Sequence, residues 1–257
     1  MVKTSVLCFL IMAGSVYAAD VSDILKQSDR VMHPPNLQGS FTMTLTSRNE
    51  TKRVIKVTAY QKKVSEERED RLFLFTFPPS VDGTGLLVRS FLGSDETTMW
   101  MYLPAVKKMK RVNLSASGGG YFMGSDFTYS DLISPSSKEF THTLLEDSEI
   151  DGEACYVIGV AAKTQNIRRK YGYSRQLFYI RKSDYVNAKM VFYDLAGDLL
   201  KELTVLKTHA MGHYRYPSHV IMENKQTGHS SEIVFKDLLA PEDIPNKYFT
   251  HRYLQHR

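Results

Sequence analysis

His209 and His213 stand four residues apart. On a helix that spacing sets two imidazoles on one face, where they can share a metal ion. The residues around them alternate as in a strand, and there the pair would lie ~13 Å apart, too far for one ion. Ser117-Gly118-Gly119-Gly120 is glycine-rich enough to approach a phosphate, but it lacks the Lys-Ser/Thr that completes such a loop, so it reads as a hinge. Ser125, Asp126, Asp131 and the histidines could meet as a hydrolase site, yet no G-x-S-x-G nucleophile elbow is present. Cys155 sits in Ala154-Cys155-Tyr156-Val157-Ile158, an apolar run suited to a buried, inert thiol. These residues assign no catalytic group, no metal and no cofactor, and the chain is not expected to be an enzyme.

A different chemistry is concentrated in Met99-Trp100-Met101-Tyr102-Leu103-Pro104-Ala105-Val106-Lys107-Lys108-Met109-Lys110-Arg111. Tryptophan, tyrosine and methionine offer large, adaptable apolar surface of the kind an acyl chain needs. Plain strand packing is the competing reading. Lys107, Lys108, Lys110 and Arg111 suit anionic headgroups or an acidic partner, or form a solvated hairpin. The candidate cavity residues are Phe73, Phe75, Leu87, Met99, Met101, Phe122 and Phe127, with Trp100 and Tyr102 as alternates, because the sequence leaves open which strand face points inward. Trp100, the single tryptophan, is accordingly expected to respond to cargo.

The elements that must position these residues are mostly strands. Val21 to Met32 repeats apolar residues at helical spacing and is stopped by His33-Pro34-Pro35. Thereafter Ser40 to Thr46, Lys52 to Tyr60 and Arg71 to Phe77 alternate, the last apolar on both faces. Ten further strands are expected between residues 85 and 237, with turns at Asp82-Gly83, Gly93-Ser94-Asp95, Asp151-Gly152, Ala196-Gly197-Asp198 and Thr227-Gly228. Many strands joined by short turns imply an antiparallel meander. A closed lipocalin-type barrel is the structural rival. Ser115 to Gly124 interrupts this pattern with glycine and serine, and Ser125-Asp126 is read as the cap of a short helix carrying Phe127, Tyr129 and Leu132. Asn246 to Leu254 is expected as a short helix or an extended tail.

The N-terminus carries a second signal. Lys3, the apolar run Val6 to Met12 and Val16-Tyr17-Ala18-Ala19 form the three parts of a cleavable signal peptide. Residues 1–19 are therefore expected to be removed, leaving 20–257 as one domain in the periplasm. Cys8 lies near the start of the run and follows Leu7, the wrong place for lipid attachment, so no lipid anchor is expected. Its removal would leave Cys155 alone and exclude an internal disulfide. A composition of 42% hydrophobic and 24% charged residues is that of a globular chain, which argues against disorder. The formal charge of +5, one less without Lys3, allows contact with an anionic membrane surface. Export argues against nucleic acid as a partner.

Trp100-Met101-Tyr102-Leu103-Pro104-Ala105, Lys107 to Arg111 and Phe122-Met123-Gly124-Ser125-Asp126-Phe127-Thr128-Tyr129-Ser130-Asp131-Leu132 resemble the outer-membrane lipoprotein-sorting protein family, which is similar to the carriers LolA and LolB. Phe77-Pro78-Pro79, Gly83-Thr84-Gly85, Asp151-Gly152 and Phe249-Thr250-His251-Arg252-Tyr253-Leu254 agree with it, so the resemblance spans roughly 21–254. It implies a mainly β, LolA/LolB-like fold: an incomplete antiparallel β-barrel, or half-barrel, covered by a few helices. It also implies a hydrophobic cavity for the acyl chains of lipoproteins or phospholipid. From its own residues, a glycine-serine leash at Ser115 to Gly120 joined to apolar Tyr121, Phe122, Met123 and Phe127, the segment near 115–134 is expected to be a movable lid, the alternative being a fixed loop whose aromatics complete the core. An inner-membrane transporter is the implied partner. The alternative is an adaptor or sensor docked to an envelope lipid exporter, and a third reading is a lipid hydrolase. The resemblance leaves unplaced the arginine that links lid to barrel in the shorter carriers.

Overall fold

The computed structural model describes residues 20–91, 96–114, 120–134 and 137–255. The proposed signal peptide, the Gly93-Ser94-Asp95 turn and Ser115 to Gly119 of the proposed lid lie outside the described residues. Helix α1 spans Val21–Met32 and is capped by Asp20, whose carboxylate accepts from the Ser22 backbone at 3.0 Å. It ends at His33, where the following prolines exclude further helix.

Five strands follow β1 (Asn36–Thr46) in a meander: β2 (Lys52–Ser65), β3 (Arg68–Phe77), β4 (Gly85–Phe91), β5 (Thr97–Leu103) and β6 (Lys108–Val112). After a long connection come β7 (Phe140–Leu144), β8 (Ser148–Ile150), β9 (Glu153–Ala162), helix α2 (Gln165–Tyr171), β10 (Arg175–Arg181), β11 (Asn187–Tyr193), β12 (Leu199–Met211), β13 (Tyr214–Asn224) and β14 (Ser230–Leu239). These fourteen described strands form one antiparallel sheet in the order β6-β5-β4-β3-β2-β1-β14-β13-β12-β11-β10-β9-β7, with β8 beside β9. The sheet does not close into a barrel. Its centre is the β1–β14 pair, in register at Phe41 and Phe235. The β8–β9 hairpin turns on Asp151 and Gly152, both at positive φ (51° and 82°), where aspartate and glycine are tolerated.

One face of the sheet carries the main core. Phe41, Met43 and Leu45 of β1, Ile55 and Val57 of β2, Phe75 of β3, Leu86 and Val88 of β4 and Met99 of β5 pack there with Ile24 of α1 and with Phe122 and Phe127 of the β6–β7 connection. This inner face follows the period-2 alternation of each strand. The outer face of β3 and β4 is also buried. Leu72, Leu74 and Leu87 pack there against Ile244, Phe249 and Leu254 of the C-terminal tail. That tail forms a 3₁₀ turn, Asn246–Phe249, and then a short helix α3, His251–Gln255. At Gly85 the sheet makes room for α3: a Cβ there would run into the Leu254 side chain. This gives a packing reason for the glycine in Gly83-Thr84-Gly85.

The helix expected to start at Ser125-Asp126 starts later. Thr128 is the cap of a 3₁₀ turn, Tyr129–Leu132, in a capping box with Asp131, whose side chain accepts from the Thr128 backbone at 2.7 Å. Asp126 is drawn away by the sheet and does not cap. Helix α2 was not expected. It follows Thr164, whose hydroxyl accepts from the Ile167 backbone at 3.3 Å, and ends at Gly172 with φ 83°.

Candidate functional site

The β6–β7 connection has to travel from one edge of the sheet to the other. It does so across the inner face, where Phe122 and Phe127 enter the main core. The Phe122 ring lies 6.1 Å from Phe73, 5.7 Å from Phe75 and 5.6 Å from Tyr129, and the residue is 2% exposed. Between this segment, the end of α1 and the sheet lies an apolar cavity of about 290 Å³. Its walls include Phe41 and Phe73 on one side of the β1–β14 seam, Leu203, Val220 and Phe235 on the other, and Phe122 above. The wall also carries polar side chains, His33, Gln61, Arg71, Asp131 and Asn187 among them. Gln61 is held by Pro34, to whose carbonyl it donates at 3.1 Å. The Tyr216 phenol is pushed above its usual value chiefly by burial, so it stays neutral.

Two fasteners hold the crossing segment. On the β3 side, Arg71 donates to the Leu132 carbonyl and to Ser134 Oγ, both at 2.9 Å, and pairs with Glu69 at 2.7 Å. Ser134 in turn donates to Glu69 at 3.1 Å. On the far side, Lys201 of β12 is fully buried. Its ammonium donates to the Asp126 carbonyl and to Asp131 Oδ2, each at 2.7 Å, and lies 5.2 Å from the ring centroids of both Tyr173 and Phe192. Tyr173 donates to the other Asp131 oxygen at 2.7 Å, and burial, reinforced by that carboxylate's charge, pushes its phenol well above the usual value. Ser231 Oγ and His229 Nδ1 of the β13–β14 region both donate to Asp126 Oδ2, at 2.7 Å and 2.6 Å. Serine and histidine thus converge on one carboxylate oxygen and anchor Asp126 to the sheet.

The structure sorts the sequence candidates into three groups. Phe73, Phe122 and Phe127 line the cavity. Phe75, Met99 and Met101 share the inner cluster without bordering the cavity. Leu87, Trp100 and Tyr102 face the other side of the sheet: Leu87 and Tyr102 pack in the outer cluster, and the Trp100 ring lies 5.1 Å from His251 of α3. Strand alternation requires this once Met99 and Met101 point inward, and it sets the Trp100 ring on the face opposite the cavity. Lys107, Lys108, Lys110 and Arg111 are exposed around the β5–β6 hairpin and are not in the cavity wall. His209 lies in β12 and His213 in the turn that follows it. Sequence reasoning missed Arg71, Lys201, Leu203, Val220 and Phe235. Only alternation in β12 to β14 pointed to the last three, and nothing local marks a lysine for burial.

Among the described residues, no helix is long and apolar enough to cross a membrane, and no cluster of three His, Cys, Asp or Glu side chains could hold a metal. No curated protein matches the sequence. A domain assigned as an outer membrane lipoprotein-sorting protein from Vibrio parahaemolyticus is 26% identical and superimposes with a TM-score of 0.83 over 91% of this chain and 97% of its own. A DUF1329 family protein from Desulfovibrio piger gives 24% identity and a TM-score of 0.83, with the same coverage. A LolA superfamily protein from Nitrosomonas europaea gives 21% and 0.72, over 92% of this chain and all of that one. The profile of a family described only as "uncharacterized protein" matches residues 67–256. The chain belongs to that family, and its fold is the LolA-like fold of the outer-membrane lipoprotein-sorting proteins.

Proposed function

We propose that this protein is a periplasmic carrier that shields acyl chains of lipoproteins or lipids between membranes. The observation that carries the reading is the apolar cavity of about 290 Å³ between sheet and crossing segment. A water molecule's share of liquid volume is ~30 Å³, and a methylene is of similar size, so the cavity takes roughly ten methylenes. At ~0.8 kcal/mol for each buried CH₂, that returns roughly 8 kcal/mol of what leaving a membrane costs. Cargo with more than one chain needs more room, and the segment 115–134 is the cover that supplies it. Arg71 and Lys201 set the cost of lifting that cover. The likeness to lipoprotein-sorting and LolA-superfamily structures supports a carrier. No catalytic step is needed. Residues 1–19 direct export and are removed, with no lipid added at Cys8.

Native mass spectrometry of protein purified gently from envelope fractions tests this reading. The expected result is copurified lipid or lipopeptide on a chain starting at Ala19 or Asp20. Protein that is consistently empty, and that fails to take up a fluorescent fatty acid, would remove the carrier reading. It would leave the adaptor docked to an exporter.

A further inference from the structure

A second recess lies outside the apolar cavity, between the β6 edge of the sheet and helix α2, with a volume of about 610 Å³. Three cations line it: Arg111 from β6, and Arg169 and Lys170 from α2. Asn113, Asn166 and Thr97 add hydrogen-bonding groups, and none of the described lining residues is acidic. Lys170 is paired with Glu139 at 2.8 Å, so the net positive charge comes from the two arginines. Arg111 and Arg169 are exposed and have no hydrogen-bond or ion-pair partner among the described residues. Unlike the lysines beside Arg111 on the hairpin, these two guanidinium groups come from positions far apart in sequence and are brought together by the fold. The rest of the wall is apolar: Val112 packs against the main core, and Leu114 is buried in the cluster that contains Phe122 and Phe127.

We propose that this recess binds the anionic, phosphate-class headgroup of an amphiphile, a reading that rests on the carrier function and names its cargo's chemistry. A guanidinium presents a planar fork that matches phosphate oxygens in pairs. Two such forks in a recess with no acidic side chain among its described lining residues select an anion over a zwitterionic or neutral head. The apolar wall lets the first methylenes below the headgroup continue along the core.

Calorimetric titration of the full mature chain with three probes tests the proposal: dodecyl phosphate, monododecanoylglycerol and inorganic phosphate. Dodecyl phosphate should bind more tightly than the uncharged ester, and added salt should weaken only the former. Arg111→Gln combined with Arg169→Gln should weaken dodecyl phosphate about tenfold or more and leave the ester unchanged. Arg111→Lys with Arg169→Lys should keep most of the preference. Displacement of dodecyl phosphate by millimolar inorganic phosphate would support a site for the free ion as well. No displacement would support a site that needs the lipid. If the ester binds as tightly as dodecyl phosphate, or the double glutamine variant binds both unchanged, the headgroup site is overturned and the cavity stands. If neither amphiphile binds the wild type, the carrier reading falls together with this one.

Discussion

Replacing Lys201 with methionine tests the account of how the crossing segment is held. Lys201 has no exposed surface and gives two hydrogen bonds, to the Asp126 carbonyl and to Asp131, which is itself mostly buried. Methionine fits the same slot between Tyr173 and Phe192 but leaves the Asp131 charge without its cation. Breaking a buried ion pair from one side costs about 3–5 kcal/mol. Asp131 keeps the Tyr173 hydroxyl and the Thr128 N–H, each at 2.7 Å, so the lower end of that range applies. The expected loss is about 3 kcal/mol, which for a chain of this length lowers Tm by about 6–12 °C. Urea unfolding followed by circular dichroism measures it. Adding Asp131→Asn to Lys201→Met should recover about 1–2 kcal/mol, because the stranded charge is gone. Limited proteolysis of Lys201→Met should also show faster cleavage within 115–134. A single-variant cost below about 1 kcal/mol, or a double variant no better than the single, would refute the view that this ion pair fastens the segment.

Leu203→Trp should fill the cavity and abolish uptake of a fluorescent fatty acid while the cooperative unfolding transition persists. Uptake at wild-type affinity would show that the ligand goes elsewhere. Phe122→Ala should cost about 3–5 kcal/mol in urea unfolding, as for a large aromatic removed from a core. Trp100 emission should ignore ligand entering the cavity and should shift in His251→Ala, because the two rings touch on the outer face; a saturable response to fatty acid would contradict that placement. Burial, with a smaller contribution from Lys163, holds the His142 imidazole below its ordinary value. Protonation therefore favours the unfolded chain: stability is full above about pH 6.5, falls as pH drops below that value, and levels off once the folded value is passed. His142→Gln should flatten the stability profile in that window, measured by denaturation at a series of pH values.

Most strands were legible because alternation is a local property. Phe41, Met43 and Leu45 announce the buried face of β1, and β3 reads as buried on both sides because Leu72 and Leu74 serve the outer cluster while Phe73 and Phe75 serve the inner one. The two-residue Asp151-Gly152 turn was equally plain. Helix α2 carried legible signals, the cap Thr164 and the terminal Gly172 around basic residues, but it is too short for periodicity to reveal. The choice between Met99 and Trp100 as inward-facing was undecidable locally, since both faces of β5 are apolar. It depends on α3, which covers the outer face and is distant in sequence. Lys201 illustrates the opposite limit. A lysine in a strand reads as solvent-exposed, and only the arrival of Asp126 and Asp131 from the crossing segment makes its burial tolerable.

The pairing of β1 with β14 makes the centre of this sheet its last seam. Phe41 meets Phe235, so the two strands at the middle of the sheet are separated by about three quarters of the chain. A chain emerging from its N-terminus can build β2 to β6 against one side of β1 early, and β9 to β13 against one another later. The second edge of β1 must stay open until Ser230–Leu239 has appeared. Closing so long a loop makes folding slow relative to a meander of the same length without such a seam. Until that moment the two arms have no shared inner face, and the space between Phe73 and Leu203 does not exist. The cavity is therefore acquired in a single late event, and any truncation that removes β14 removes the cavity together with the middle of the sheet.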